Sequence, residues 1–171
     1  MHIDVIIEVP QGSRNKYEMD SASGPYPPGP NAVQHRPATR PTTGSSPAPW
    51  PRTATRWTRW FLLGEPAFPG TYVTARPVAM FWMHDEHGPD AKILAVPAHD
   101  PRYDQLGDLP DVPVHLLAEI SHFFDVYKEL EPGKSADVRG WQDRDAAERV
   151  ITEALRAGHG NRPGEPSGEV I

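Results

Sequence analysis

The central segment, residues 25–60, is the feature that most constrains what this 171-residue chain can fold into. It contains no Asp, Glu, Leu or Ile and a single Val, yet it holds nine of the chain's 21 prolines, five arginines and three of the five tryptophans. Such a composition can bury almost no aliphatic surface, whereas ordering the backbone of one residue costs ~1–2 kcal/mol. We therefore expect this segment to be irregular, although structureless loops of such length are uncommon in compact domains.

The whole-chain composition excludes several classes of chemistry. There is no cysteine, so disulfide scaffolding, thiolate zinc sites and cysteine nucleophiles are all excluded. A formal net charge of −6 argues against broad nucleic-acid binding but suits a protein whose carboxylates hold metal cations. The opening residues, MHIDVIIEVPQG, have no basic region and no long apolar run, so we expect neither a secretory signal nor a membrane span. A cytoplasmic location is the resulting expectation.

Two units of β structure are predicted, one on either side of the central segment. Residues 3–9, IDVIIEV, are rich in β-branched types, and a second strand is expected to start at 16–19. Residues 71–83 and 91–97 have strand composition and are joined by a short polar loop, which predicts a hairpin. Pro77 has no N–H to give to a neighbouring strand, so its strand should lie at an edge or contain a bulge there.

Two helices are predicted in the C-terminal third of the chain. Asp111 is expected to cap the first helix, which ends before Pro132, and Asp143 is expected to cap the second. The apolar stripe of the first helix comprises Leu117, Ile120, Phe124 and Tyr127. The chain is therefore predicted to be one domain, residues 1–157, followed by a disordered tail at 158–171.

Three acidic residues are candidates for binding a metal ion: Glu8, Asp85 and Asp90. Glu8 lies near the end of the first predicted strand, and the two aspartates flank the turn EHGP. Carboxylates close together at strand ends are suitable ligands for a hard, oxygen-preferring cation such as Mg²⁺. On spacing alone, ordinary solvated loop acids are the more common interpretation.

A complementary set of donors could bind phosphate oxygens. It comprises Lys16, Lys92, Lys128 and Tyr127. An ammonium or phenol near a metal site is a natural donor to such oxygens. The alternative is equally simple, since surface lysines and a tyrosine on the inner face of a helix need no functional explanation.

Three blocks of sequence carry a more specific signal. They read IDVIIEVPQGSRNKYEMD, FPGTYVTARPVAMFWMHDEHGPDAKILAVPAHDPRY and ISHFFDVYKELEPGK. Together and in this order they resemble the family I soluble inorganic pyrophosphatases, particularly the actinobacterial type. The resemblance covers roughly residues 1–24 and 61–157.

This resemblance implies a fold and an activity. The fold is a five-stranded OB-like β-barrel flanked by two C-terminal helices, and here we expect the central strands to be disrupted. The activity is Mg²⁺-dependent hydrolysis of pyrophosphate to two phosphates, and prokaryotic members of the family are usually hexamers. By the same resemblance neither a membrane nor a nucleic acid is expected as a partner.

The resemblance also implies roles for the matching residues. Glu8 and Asp85 would bind metal, Asp90 would bind metal and accept a proton, and four residues would contact or face the phosphates. Those four are Lys16, Tyr127, Lys92 and Lys128. Several cations near the substrate would neutralise its oxygens.

The chain departs from the family in its central segment. The family's Asp-x-Asp-Pro-x-Asp run supplies three central carboxylates, and it is missing from this sequence together with a phosphate-binding arginine and tyrosine. All of these should fall between residues 25 and 61. For the chain as written, the sequence therefore predicts severe loss of activity, because metal affinity depends on the number of charged ligands.

A shifted reading frame accounts for the anomaly. With synonymous codons chosen freely, residues 41–61 can be read in an offset frame as DYGFIPGTLAEDGDPLDALV, which contains the missing run. A second offset lets residues 25–35 be read as RTRLDRTLFST. Slips near residues 25, 36 and 61 together restore the original frame at LLGEPAFPG. We therefore interpret residues 25–60 as out-of-frame coding sequence.

Two further hypotheses stand beside a working pyrophosphatase. The first is an inactive, pseudogene-type remnant whose sequence is correct as written. The second is a nucleic-acid or anion binder in which the run RTATRWTRW stacks on bases and contacts phosphates. The gene sequence distinguishes the first from an intact enzyme, and a binding measurement tests the second.

Overall fold

Six strands and two helices make up the described fold. The structure is a computed structural model, and it describes residues 1–13, 42–45, 58–85, 88–126 and 136–159. The strands are β1 (Ile3–Val9), β2 (Thr42–Ser45), β3 (Thr58–Phe61), β4 (Tyr72–Asp85), β5 (Gly88–Pro97) and β6 (Ala136–Gln142). The helices are α1 (Val114–Val126) and α2 (Arg144–His159).

Five of the strands close into a barrel. β1 pairs antiparallel with both β2 and β4, β2 pairs antiparallel with β3, and β3 runs parallel to β5. Because β5 also pairs with β4, the order β1-β2-β3-β5-β4 returns to β1, while β6 extends the sheet beyond β4. The predicted five-stranded OB-like barrel with two helices is therefore confirmed.

Two of the barrel strands come from the segment with the unusual composition. β2 and β3 are each four residues long, and their Thr, Trp and Phe residues are types that favour strands. Residues 14–41 and 46–57 lie outside the described residues, and so does the strand start expected at 16–19. The long hairpin strands β4 and β5 supply most of the remaining barrel wall.

The bulge expected at Pro77 is present. The pairing register between β4 and β5 shifts between Pro77 and Ala79, where the missing N–H of the proline would otherwise interrupt the ladder. A second shift in register, between Ile7 and Val9, interrupts the pairing of β1 with β2. It falls beside Glu8, the one acidic candidate on this strand.

The sheet carries a buried cluster on each of its faces. On β5, Ile93 and Ala95 belong to the cluster that includes α2 residues, whereas Leu94 and Val96 belong to the cluster that includes α1 residues. We call these the α2-side core and the α1-side core. This alternation is the period of two that a strand buried on both faces must show.

The starts of the helices differ in part from the prediction. Asp143 caps α2 as expected, since its Oδ1 accepts a hydrogen bond from Ala146 N at 2.8 Å. Asp111 does not cap α1: it ends a short 3₁₀ turn, and its Oδ2 accepts from Gly107 N and Asp108 N at 3.0 Å each. The reason is that Asp111 is used within its own turn, three residues before α1 begins.

Strand β6 was missed by the sequence analysis. Its sequence, ADVRGWQ, contains Gly140 at φ 104° and has only two β-branched or aromatic residues, so its strand composition is weak. It pairs with β4 from Met80 to Asp85, with a shift in register between Trp82 and Met83. Neighbouring strands, rather than its own residue types, therefore determine its conformation.

Candidate functional site

Glu8 is a buried carboxylate near the end of β1. Its exposed fraction is 6%, and Val5 and Ile7 on the same strand belong to the α2-side core. The register shift between Ile7 and Val9 falls at Glu8, so regular strand alternation does not assign its side chain to a face. A carboxylate taken out of water is costly unless a charge or a cation compensates it, so this position favours an electrostatic role.

Asp90 and Lys92 form an ion pair on the first half of β5. Lys92 Nζ lies 2.5 Å from Asp90 Oδ2, and the two side chains are 8% and 16% exposed. Residues two apart on a strand share a face, and this face also carries Leu94 of the α1-side core. The pair therefore lies on the α1-side face of the sheet.

Lys92 also lies over an aromatic ring. Its Nζ is 5.8 Å from the ring centroid of Phe124 on α1, within the range of a cation–π contact. Among the residues whose burial is described, the buried polar side chains are Glu8 and Lys92. One acid and one base of the predicted set are thus held in the interior of the barrel wall.

The position of Asp85 is known through its backbone. It is the last residue of β4, and it pairs with Gly88 of β5 and with Ala136 of β6. Two residues earlier, Met83 pairs with Asp90, so the two aspartates flank the same hairpin turn as the sequence indicates. The side chain of Asp85 is not described.

The remaining predicted residues lie outside the described part of the chain. They are Lys16, Tyr127 and Lys128. Helix α1 is described as far as Val126, the residue immediately before Tyr127. The structure therefore brings Asp90 and Lys92 into contact and buries Glu8 on β1, while the roles of Lys16, Tyr127 and Lys128 stay predictions.

The described carboxylates fit a hard cation in kind but do not complete a metal centre. Glu8 and Asp90 offer oxygen donors, which Mg²⁺ prefers. Within residues 1–13, 42–45, 58–85, 88–126 and 136–159, however, no three His, Asp or Glu side chains are grouped as a metal site would require. Any further ligands must come from other parts of the chain.

Phe124 is the residue of this site that sequence reasoning did not identify as functional. The sequence predicts that Phe124 belongs to the apolar stripe of the first helix, and it is buried in the α1-side core. Its position one helical turn before Tyr127 could have indicated that the same end of the helix approaches the predicted site.

No helix in the described part of the chain has the length and apolarity needed to span a bilayer.

Comparisons with known proteins agree on one family. The family model described as "Inorganic pyrophosphatase" matches residues 60–158. An inorganic pyrophosphatase from Leifsonia xyli is 38% identical over 160 residues, covering 86% of this chain and 90% of that protein. One from Streptomyces coelicolor is 38% identical over 168 residues, covering 91% and 95% respectively.

A solved structure agrees in fold as well as in sequence. The structure of an inorganic pyrophosphatase from Coxiella burnetii superposes with a TM-score of 0.79 and is 33% identical, covering 91% of this chain and 94% of that one. The family model, the curated relatives and this structure agree, and the chain therefore belongs to the inorganic pyrophosphatase family.

Proposed function

We propose that this chain is an inorganic pyrophosphatase, which hydrolyses diphosphate to two phosphates. The observation that carries the proposal is the family match over residues 60–158, because this region contains the Asp90–Lys92 ion pair. A buried ammonium in a site of limited water interacts strongly with phosphate oxygens. The geometry therefore supports binding of a polyanion at the face of β5 that carries Asp90 and Lys92.

We assign roles to the chain's own residues on this basis. The ammonium of Lys92 donates to a phosphate oxygen, and Asp90 accepts the proton of the attacking water. Three further donors to phosphate oxygens are Lys16, Tyr127 and Lys128. When substrate enters, Lys92 exchanges part of its interaction with Asp90 for one with phosphate.

The proposed cofactor is Mg²⁺, held by Glu8, Asp85 and Asp90. When bound, it supplies positive charge that offsets the charge of the diphosphate. Oxygen donors of these types suit Mg²⁺. We further propose that the protein is a cytoplasmic homo-oligomer, a hexamer by the resemblance to prokaryotic members.

We also propose that the chain as written has severely reduced activity. The Asp-x-Asp-Pro-x-Asp run is absent, and the carboxylates proposed here number three: Glu8, Asp85 and Asp90. Fewer charged ligands weaken the binding of a divalent cation. This deficit follows from the composition of the central segment, not from the residues of β5 or α1.

The test compares two versions of the protein by phosphate release from Mg²⁺-pyrophosphate. One is the chain as written, verified by mass; the other has residues 25–61 replaced by the offset-frame sequence, with Asp90→Asn in that background as the inactive control. We expect activity to be high in the replaced chain and severely reduced in the chain as written. Brisk turnover by the chain as written contradicts the proposed impairment, and no turnover by the replaced chain contradicts the proposed function.

The genomic DNA distinguishes an intact enzyme from an inactive remnant. We expect codons over residues 25–61 that read as pyrophosphatase-like sequence in the shifted frames. Codons that give no such sequence in either frame contradict the frame-slip interpretation. The nucleic-acid alternative predicts salt-dependent binding of single strands that is lost when residues 50–60 are deleted.

A further inference from the structure

The ammonium of Lys92 lies over the ring of Phe124 in the interior of the protein. The ring centroid lies 5.8 Å from Lys92 Nζ, and Phe124 and Lys92 are 3% and 7% exposed respectively. A cation–π contact is worth more when both groups are removed from water. This contact therefore acts on the same ammonium that is paired with Asp90 at 2.5 Å.

The ring of Phe124 is itself fixed by neighbouring aromatic residues. It stacks on Phe81 of β4, with centroids 5.3 Å apart and planes 22° apart, and it meets Phe123 edge-on at 5.2 Å. Phe81 in turn packs against Trp141 of β6, with ring centroids 5.0 Å apart. Paired rings restrict one another's orientation, so the face presented to Lys92 has a fixed direction.

A hydrogen bond ties this cluster to helix α1. Trp141 Nε1 donates to Ser121 Oγ at 3.0 Å, and Ser121 Oγ donates in turn to the Leu117 carbonyl oxygen at 2.8 Å. Strand β6 and helix α1 are thereby linked one turn before Phe124. The support beneath Lys92 consists of a strand, a helix and a ring stack, which are rigid elements.

An aromatic face has one property that an oxygen acceptor lacks. A second carboxylate beside the ammonium would hold it equally well, but it would compete with phosphate for the N–H donors and add negative charge. The ring attracts the cation through its quadrupole and adds no net charge. It can therefore keep the ammonium in place without opposing an incoming anion.

We propose that Phe124 is a positioning residue for Lys92, holding its ammonium in the orientation that meets the phosphate of the substrate. The proposal rests on the proposed function, because it presumes that Lys92 contacts diphosphate. It assigns a specific role to one ring of the apolar stripe on α1, distinct from the packing role of its neighbours.

The experiment compares Phe124→Leu with a matched control, Phe123→Leu. Both changes remove a buried ring from α1, but Phe123→Leu retains the Phe124 ring and its stack on Phe81, and so retains the aromatic face beside Lys92. Phe124→Tyr retains the ring face and serves as the conservative rescue. Thermal unfolding of each variant reports the shared packing effect.

The first measurement needs neither metal nor activity. The rate of acetylation of Lys92 by an amine-reactive ester is followed by peptide mass spectrometry in the intact chain. We expect about a fivefold faster reaction in Phe124→Leu, and rates near that of the parent in Phe123→Leu and Phe124→Tyr. Equal acceleration in both leucine variants reduces the effect to packing and overturns the proposal.

The second measurement is calorimetric binding of inorganic pyrophosphate with EDTA present. We expect Phe124→Leu to weaken binding about fivefold in the parent background and to have no effect when Lys92→Met is already present. A further loss on the Lys92→Met background overturns the positioning role alone. Unchanged binding in Lys92→Met, or no binding by the parent chain, overturns the proposed contact of Lys92 with substrate and this inference with it.

Discussion

Two acid–base pairs, Asp90–Lys92 and Asp100–Arg102, each join residues two positions apart in sequence. The first pair lies within β5 and the second follows that strand, and the two pairs differ in burial. Lys92 Nζ lies 2.5 Å from Asp90 Oδ2, with side chains 8% and 16% exposed. Arg102 Nη2 lies 2.6 Å from Asp100 Oδ2, with side chains 71% and 21% exposed. Charge, sequence spacing and distance are therefore nearly the same, so the environment distinguishes the pairs.

The exposed pair has a local structural role. The Asp100 carboxylate accepts hydrogen bonds from the backbone N–H and from Nε of Arg102, both at 3.0 Å, and so caps the short turn Pro101–Tyr103. The buried pair makes no turn, because its residues lie within a regular strand. Its charges instead lie where water screens them less, which suits interaction with an anion.

The largest expected effect comes from breaking the buried pair. Lys92→Met leaves the Asp90 carboxylate largely buried without its ammonium, and we expect a loss of about 3 kcal/mol in the free energy of unfolding by urea. Arg102→Met is the matched control, and at this exposed pair we expect no measurable shift of the urea midpoint. Equal losses in the two variants would mean that burial does not separate the pairs.

A smaller effect is expected from the support of the buried pair. Trp141→Phe keeps a ring against Phe81 but removes the hydrogen bond to Ser121 Oγ. We expect a loss of about 1 kcal/mol in the free energy of unfolding, the usual net value of such a bond. Ser121→Ala should give a similar loss, and the double variant should lose less than the sum, as a double-mutant cycle would show.

The smallest effect is expected at the exposed pair and only in acid. The hydrogen bond from the Arg102 side chain holds the pKa of Asp100 below its ordinary value of 3.8. Because the folded state then binds the proton less readily than the unfolded state, this contribution is complete above pH 3.8 and is lost as pH falls through the lowered pKa. We expect Asp100→Asn to flatten the stability curve in that window and to leave its slope near pH 7 unchanged.

A second acidic residue makes this prediction specific. Hydrogen bonds from the backbone N–H groups of Arg144 and Leu109 lower the pKa of Asp108, and they connect its turn to the start of α2. Within the described part of the chain, Asp100 and Asp108 are therefore both sources of acid sensitivity below pH 3.8. If the loss of stability in acid is unchanged in Asp100→Asn but smaller in Asp108→Asn, the acid sensitivity comes from Asp108 alone.

The parts of the fold predicted from sequence are those whose own residues determine them. β1 has the bounds expected from its β-branched run, and the bulge at Pro77 follows from a missing donor. β6 could not be predicted, because its pairing with β4 compensates for a weak strand composition. Likewise, Asp111 is a plausible helix cap in sequence, and only its contacts within the preceding turn show that it has another use.

The candidate site was predictable in its residue types but not in its arrangement. The resemblance identified Asp90 and Lys92, and two-residue spacing on a strand is consistent with their contact. Nothing in the spacing indicates that Phe124, 32 positions later, lies beneath the same ammonium, because that contact depends on how α1 packs against the sheet. The sequence also predicts disrupted central strands, whereas residues 42–45 and 58–61 form the short strands β2 and β3, each paired on both sides.

The shortness of β2 and β3 has a consequence for how the barrel opens. These two four-residue strands are the bridge between β1 and β5, and β3 pairs with β5 at the stretch that begins with Lys92. Few backbone hydrogen bonds need to break to release such a bridge, so its amides should exchange with deuterium sooner than those of the β4–β5 hairpin. The barrel would then become an open sheet, and β5, the strand that carries Lys92, would become an edge strand.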